Sequence, residues 1–151
     1  MIELAHAATG GLIAYKLGNP LFSIPLALAS HFLIDLLPHW NPHLGKEKKK
    51  FGKIKKETLF VVVLDCLVGL AIGLYLASLV LPDIWRALFI LAGCFFGILP
   101  DLIEAPYYLF NWKSGPIKGL IAFQNKHHWN VPFVFGLLFQ LLYVAFLFYL
   151  I

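Results

Sequence analysis

Ser30-His31-Phe32-Leu33-Ile34-Asp35-Leu36-Leu37-Pro38-His39-Trp40 sets two imidazoles and a carboxylate into an apolar run at four-residue spacing. On an α-helix, residues i and i+4 lie one turn apart on the same face, so His31 and Asp35 can point at one ion. Pro38 cannot donate to the Ile34 carbonyl and clashes with it, which predicts a helix ending near Leu37. His39 then falls in a turn that folds back toward the pair or splays away. In a water-soluble chain such residues are more often a polar helix end, paired with each other or with water.

The composition moves the reading away from water. The chain has 151 residues, 60% of them hydrophobic and 13% charged, with a mean hydropathy of +0.80. That is a membrane composition for a single domain, residues 1–151. Residues 1–17 lack a basic start and a polar cleavage region, and His6 and Gly10 interrupt the apolar part, so the segment does not read as a cleaved signal. Cys66 and Cys94 sit in apolar runs and suit buried free thiols. The net charge of +4 comes mostly from one loop, which makes nucleic acid a poor partner and a membrane surface a better one.

Apolar segments alternate with two polar connections. Residues 2–17 and 21–37 form a first hairpin about Gly18-Asn19-Pro20, each arm short for a bilayer that needs about 20 residues. Residues 41–57 form a polybasic loop, in which Lys48, Lys49, Lys50 and Lys53 are the candidate contacts to anionic lipid. A third segment, Thr58–Leu81, and a fourth, Ile84 to about Ile103, flank Pro82-Asp83, with Asp83 the expected N-cap. Residues 111–130 form the second polar connection, and Val131–Ile151 the last span. The expected fold is therefore all-α, a multi-pass bundle of about five membrane segments arranged as two hairpins and a C-terminal helix. Seven lysines in 41–57 and three in 111–130, against Lys16 and Arg86 elsewhere, place both connections in the cytoplasm by the positive-inside rule. The N-terminus is then inside, the C-terminus outside, in a plasma or inner membrane.

Ionisable groups within spans are functional candidates by default. Here they are His6, His31, Asp35, Asp65, Asp101 and Glu104, all toward the cytoplasmic ends, with His127 and His128 just before the last span. Small-residue stripes suggest how the segments meet. Across the third and fourth segments, Asp65 with Asp101, Gly69 with Gly97 and Gly73 with Gly93 each have indices summing to 166. Across the first hairpin, His6 with His31, Gly10 with Ala27 and Ala14 with Ser23 each sum to 37. Both seams end in facing ligand-type residues; for Asp65 and Asp101 a shared proton is the alternative to a metal.

His6, His31, Asp35, His39, Asp65, Asp101 and one of His127 or His128 make a mixed nitrogen and oxygen donor set large enough for one or two divalent ions. Zinc suits it best, manganese or iron(II) a carboxylate-rich version. Glu104, one turn beyond Asp101, can be a further ligand, an orienting group or a general base, and Asp65 a second catalytic carboxylate.

The run Ser30-His31-xxx-Asp35-xx-Pro38-His39, with His6-Ala-Ala-x-Gly10 upstream and Gly97-xx-Pro100-Asp101 downstream, resembles the membrane-bound metal-dependent hydrolases, small multi-pass inner-membrane proteins. The likeness extends over most of the chain. The His-x-x-x-Asp portion is similar to a short motif of the zinc-dependent phospholipase C and nuclease group. The first resemblance implies a hydrolase with His6, His31, Asp35 and Asp101 as ligands; His127-His128-Trp129 stands where a longer histidine-containing segment is expected.

No Gly-x-Ser-x-Gly or phosphate-cradling glycine loop is present, so metal-activated water is the expected nucleophile. A phosphoester or lipid-linked substrate at the cytoplasmic face suits the depth of the site and the lysine loop. Two other classes compete. A non-catalytic membrane protein can use the metal to staple its helices; an ion or proton transporter needs polar residues continuing outward, where the third and fourth segments offer only Tyr75 and Ser78. In this topology, cysteines introduced at Asn19 and Asp83 react with a membrane-impermeant thiol reagent added from outside; labelling of Asn19 from the cytoplasm alone overturns it.

Overall fold

A computed structural model describes residues 1–151 as seven helices without a strand ladder: α1 (Glu3–Leu17), α2 (Pro20–Ile34), α3 (Leu44–Phe51), α4 (Lys56–Ser78), α5 (Ile84–Phe110), α6 (Gly115–His127) and α7 (Phe133–Tyr149). The all-α expectation holds. Two of the seven, α4 and α5, are long and apolar enough to cross a membrane, while α2 and α7 are apolar but shorter. The five expected segments therefore do not all have spanning length. The two polar connections also differ from plain loops. Residues 41–57 contain the basic α3, and residues 111–130 contain α6, which Ser114 caps by accepting from Ile117 N–H at 3.4 Å.

Local chemistry sets the boundaries. α1 stops at Gly18, whose φ of 65° is left-handed, a conformation that only glycine adopts without strain. Asn19 then caps α2 through Leu21 N–H, and α2 ends at Ile34, one turn before the position that Pro38 alone predicted. Asp83 caps α5 as expected, accepting from Arg86 N–H at 3.0 Å. α5 runs about two turns past Ile103, through Pro100 and Pro106, to a left-handed Asn111.

The bundle is built around α1, which is buried along most of its length between α2, α4 and α5. Its seam differs from the one expected. A Cβ at Gly10 would overlap the Gly93 carbonyl and come within 3.3 Å of Gly97 Cα; one at Gly97 would lie 2.5 Å from the His6 carbonyl oxygen. Gly69 faces Leu4 and Ala7, and Gly73 faces Cys94. Gly69, Gly93 and Gly97 thus admit α1, while Gly73 faces α5 at Cys94 and Leu91, so Gly69 does not face Gly97 nor Gly93 face Gly73. The reason is physical: α1 is itself small and glycine-bearing, so it fits the groove between the two long helices. Of the first-hairpin pairs, His6 and His31 do meet, with rings stacked at 3.9 Å.

α4 is apolar on the outside as well. Only Gly69, Gly73, Leu76 and Ala77 of its 23 residues are buried, and Phe60, Leu64, Leu67 and Leu74 are exposed. A core helix of a water-soluble domain hides such a surface. Gly10→Ala is expected to lower the thermal midpoint of the solubilised protein, because backbone atoms must move apart at a cost of about 1–3 kcal/mol. Gly119→Ala, with nothing near its Cβ, is expected to leave it unchanged or raise it slightly.

Candidate metal centre

Four parts of the chain bring donor atoms together at the end of the bundle that carries α3 and α6. α1 supplies His6, α2 supplies His31 and its C-cap Asp35, and α5 supplies Asp101. The last part is a pair of facing loops. His39 N–H donates to the Trp129 carbonyl at 3.1 Å and Val131 N–H to the His39 carbonyl at 2.9 Å, and Trp129 N–H reaches the Asp35 carbonyl at 3.4 Å. This isolated bridge, His39 to Asn130, sets His39 beside His128, with ring centroids 5.2 Å apart.

The result is two groups of three, His6 with His31 and Asp101, and Asp35 with His39 and His128, each with ligand atoms within 4.8 Å of one another. Asp35 touches both. Its Oδ1 lies 3.4 Å from His6 Nε2 and 3.9 Å from His39 Nε2; its Oδ2 lies 3.6 Å from His31 Nε2 and 2.7 Å from His128 Nε2. His31 Nε2 is also 3.6 Å from Asp101 Oδ1. Donors at 2.0–2.2 Å around a tetrahedral ion are about 3.4 Å apart; the contacts of His6 and His31 at 3.4–3.6 Å match that spacing, while the 2.7 Å contact of His128 Nε2 with Asp35 Oδ2 is a hydrogen bond.

Hydrogen bonding fits an ion too. His6 is fully buried, and neither of its ring nitrogens has a hydrogen-bond partner; its approach to Asp35 is a contact, not a hydrogen bond. His39 Nε2 is likewise buried and unbonded. Such orphans are costly unless something binds them. His31 Nδ1–H donates to the Gly97 carbonyl at 2.8 Å, and His39 Nδ1–H to the Leu37 carbonyl at 2.7 Å. Metal-ligating histidines are held in this way, with the far nitrogen fixed by an acceptor and Nε2 turned inward. Burial, then the charge of the amino terminus, lowers His39 to about 4, which keeps the ring in its neutral, ligating form. The Met1 amino group is a further partner of Asp35 Oδ1.

The remaining sequence candidates fall elsewhere. Asp65 accepts from Glu3 N–H at 2.6 Å and Leu4 N–H at 3.1 Å; both oxygens cap the first turn of α1, whose own N-cap Ile2 has no side chain able to do so. It belongs to neither group of donors but lines the same cavity as Asp101 and Glu104. His127 is exposed, its Nδ1 turned back to the Phe123 carbonyl, so of the adjacent histidines it is His128 that reaches the centre. Glu104 is buried with Oε1 unbonded and stands outside both groups. It lines, with Asp101 and His128, a cavity of about 570 Å³. Lys48 does not face outward, since its Nζ donates to the Tyr108 carbonyl at 2.7 Å; Lys49, Lys50 and Lys53 remain exposed.

Three residues escaped the sequence reading. Gln140, wholly buried in α7, accepts from Ile2 N–H and donates to the Trp40 and Gly136 carbonyls. Gln124 of α6 lies 3.4 Å from His31 Nε2, and Glu3 has a buried, unbonded Oε2. Gln140 had a signal: a lone amide in an apolar helix needs partners. Comparison with protein-family models, curated proteins and solved structures finds no match.

The geometry separates the two adjacent histidines. His128→Ala is expected to lower the metal content of the purified protein, measured by elemental mass spectrometry, and His127→Ala to leave it at the wild-type value.

Proposed function

We propose that this chain is a membrane-embedded, metal-dependent hydrolase acting on a phosphoester at the cytoplasmic face. The observation that carries the reading is the position of Asp35, a buried carboxylate facing four imidazoles that belong to two adjacent donor groups. His6, His31 and Asp101 would hold one divalent ion, and Asp35, His39 and His128 a second. Zinc matches the mixed imidazole and carboxylate donors, with manganese and iron as alternatives. α4 and α5 cross the membrane with the shorter α2 and α7 embedded beside them, and α1 runs inside. The lysine-rich connections, which meet at the end of α4 and α5 that holds the centre, face the cytoplasm.

Ions in such a centre supply charge that acidifies water and stabilises an oxyanion. In this reading Glu104 takes a proton from the attacking water as its oxygen bonds to phosphorus, and returns that proton to the alcohol oxygen as the ester bond breaks. Because Asp101 and His128 line the cavity, the donor set is open on that side, unlike the closed shell of a purely structural site. A path across the membrane is less well supported, since the apolar cluster of Ala14, Leu76, Ala77, Ala87 and Ile90 lies beyond the centre.

A second reading, a metal that only staples the bundle, draws on the origin of the ligands, which come from α1, α2, α5 and both facing loops. Asp35→Asn and Glu104→Gln separate the two. Under the hydrolase reading, Asp35→Asn loses metal and phosphatase activity on a chromogenic aryl phosphate. Glu104→Gln keeps its metal and its thermal midpoint but loses about 10²–10⁴-fold in kcat. A wild-type protein loaded with metal and inactive on aryl mono- and diesters, with Asp35→Asn unfolded, supports the staple instead.

A further inference from the structure

The cavity beside Asp101 and Glu104 has extensive apolar walls. Its walls include Leu59, Val63, Leu67 and Leu70 of α4 with Leu102 and Leu109 of α5, all of them exposed rather than packed. Leu59 to Leu70 covers about 16 Å of helix axis, so the apolar wall runs past the level of Asp65 in both directions. A water-soluble phosphoester needs no such wall. At about 570 Å³, the space lies within the usual 300–1,000 Å³ of sites that take a drug-sized ligand.

Charge selects the other end of the occupant. Lys46 of α3 lines the cavity together with the carboxyl groups of Glu3, Asp65, Asp101 and Glu104. An anionic head group would therefore be held at this end by the ions that the His/Asp groups would bind, and not by the charge of the lining itself. The apolar walls lie between two helices whose outer surfaces are themselves apolar, so a hydrocarbon chain there is continuous with the lipid phase.

We propose that the substrate is a lipid phosphoester, its hydrocarbon chain lying between α4 and α5 and its phosphate against Asp101, Glu104 and His128. This rests on the metal-dependent reading above and adds the chemical class of the substrate.

The test uses the full chain, zinc-loaded and solubilised, with lysophosphatidic acid and glycerol 3-phosphate as probes that share a head group and differ by one chain. Lysophosphatidic acid is expected to bind on the order of 100-fold more tightly, a gain that burial of a few methylenes supplies. Val63→Trp and Leu67→Trp, which fill the cavity from α4, a helix that supplies no ligand, are expected to remove that advantage while metal content stays constant. In the wild type, where no substitution can disturb folding, a lysophosphatidic acid with a photoreactive group at its chain end is expected to crosslink within residues 59–70 and 102–109. Equal binding of the two probes, or crosslinks confined to the outer face of α7, overturns the proposal. Hydrolysis of glycerol 3-phosphate without any chain-dependent binding also overturns it and leaves the hydrolase standing. Chain-dependent binding at these residues without turnover of any ester upholds the lipid site and removes the hydrolase.

Discussion

The rest of the structure depends on the backbone contact between α1 and α5. Where Gly10 meets Gly93 and Gly97, two helices approach as closely as their main chains permit, which only residues without a Cβ allow. One turn of α5 then does several things. Gly97 admits the backbone of His6, its carbonyl accepts from His31 Nδ1–H, and Asp101 follows one turn later on the same side. Moving α1 outward by the width of a methyl group therefore disturbs three donors together.

The second half of the centre rests on loops, and loops within a bundle of this kind must satisfy their own polar groups. They do so by pairing with each other and with Gln140, whose amide serves the Ile2 N–H and the Trp40 and Gly136 carbonyls together. Gly136 is the counterpart of Gly10, because a Cβ there would overlap the backbone of Trp40. α7 thus contributes no ligand yet holds the segment that carries His39. The same rule accounts for Asp65, which spends its charge on the two free N–H groups at the start of α1.

The part of this arrangement legible in the sequence was the part carried by local spacing. The four-residue interval of His31 and Asp35, the break before Pro38, the Asp83 cap and the meeting of His6 with His31 follow from helix geometry and turn chemistry. What the index sums could not tell was which helices share a seam. They assume that neighbours in sequence are neighbours in space, whereas α1 intrudes between α4 and α5 and takes Gly69, Gly93 and Gly97, leaving Gly73 to face Cys94. Asp65 misled for the same reason: it is level with Asp101, but α1 starts beside it. α3 was hidden because a polar, lysine-rich helix has the composition of a loop, and α6 because Gly115, Pro116, Gly119 and Asn125 carry turn signals. Glu3, Gln124 and Gln140 show their roles only once residues 62 to 138 positions apart are brought together.

The bridge between His39 and Asn130 joins stretches that a ribosome makes far apart in time. During synthesis the first two helices are complete, and Asp35 has emerged beside His6 and His31, long before Gln124, His128 and Trp129 exist. Of the groups around the Asp35 carboxylate, Met1, His6, His31 and His39 are made early and His128 alone late. The late segment that delivers His128 also brings the backbone that pairs with residues 35–39, and assembly is thereby closed by the last third of the chain. The second donor group, Asp35 with His39 and His128, is therefore complete only when that last third is in place.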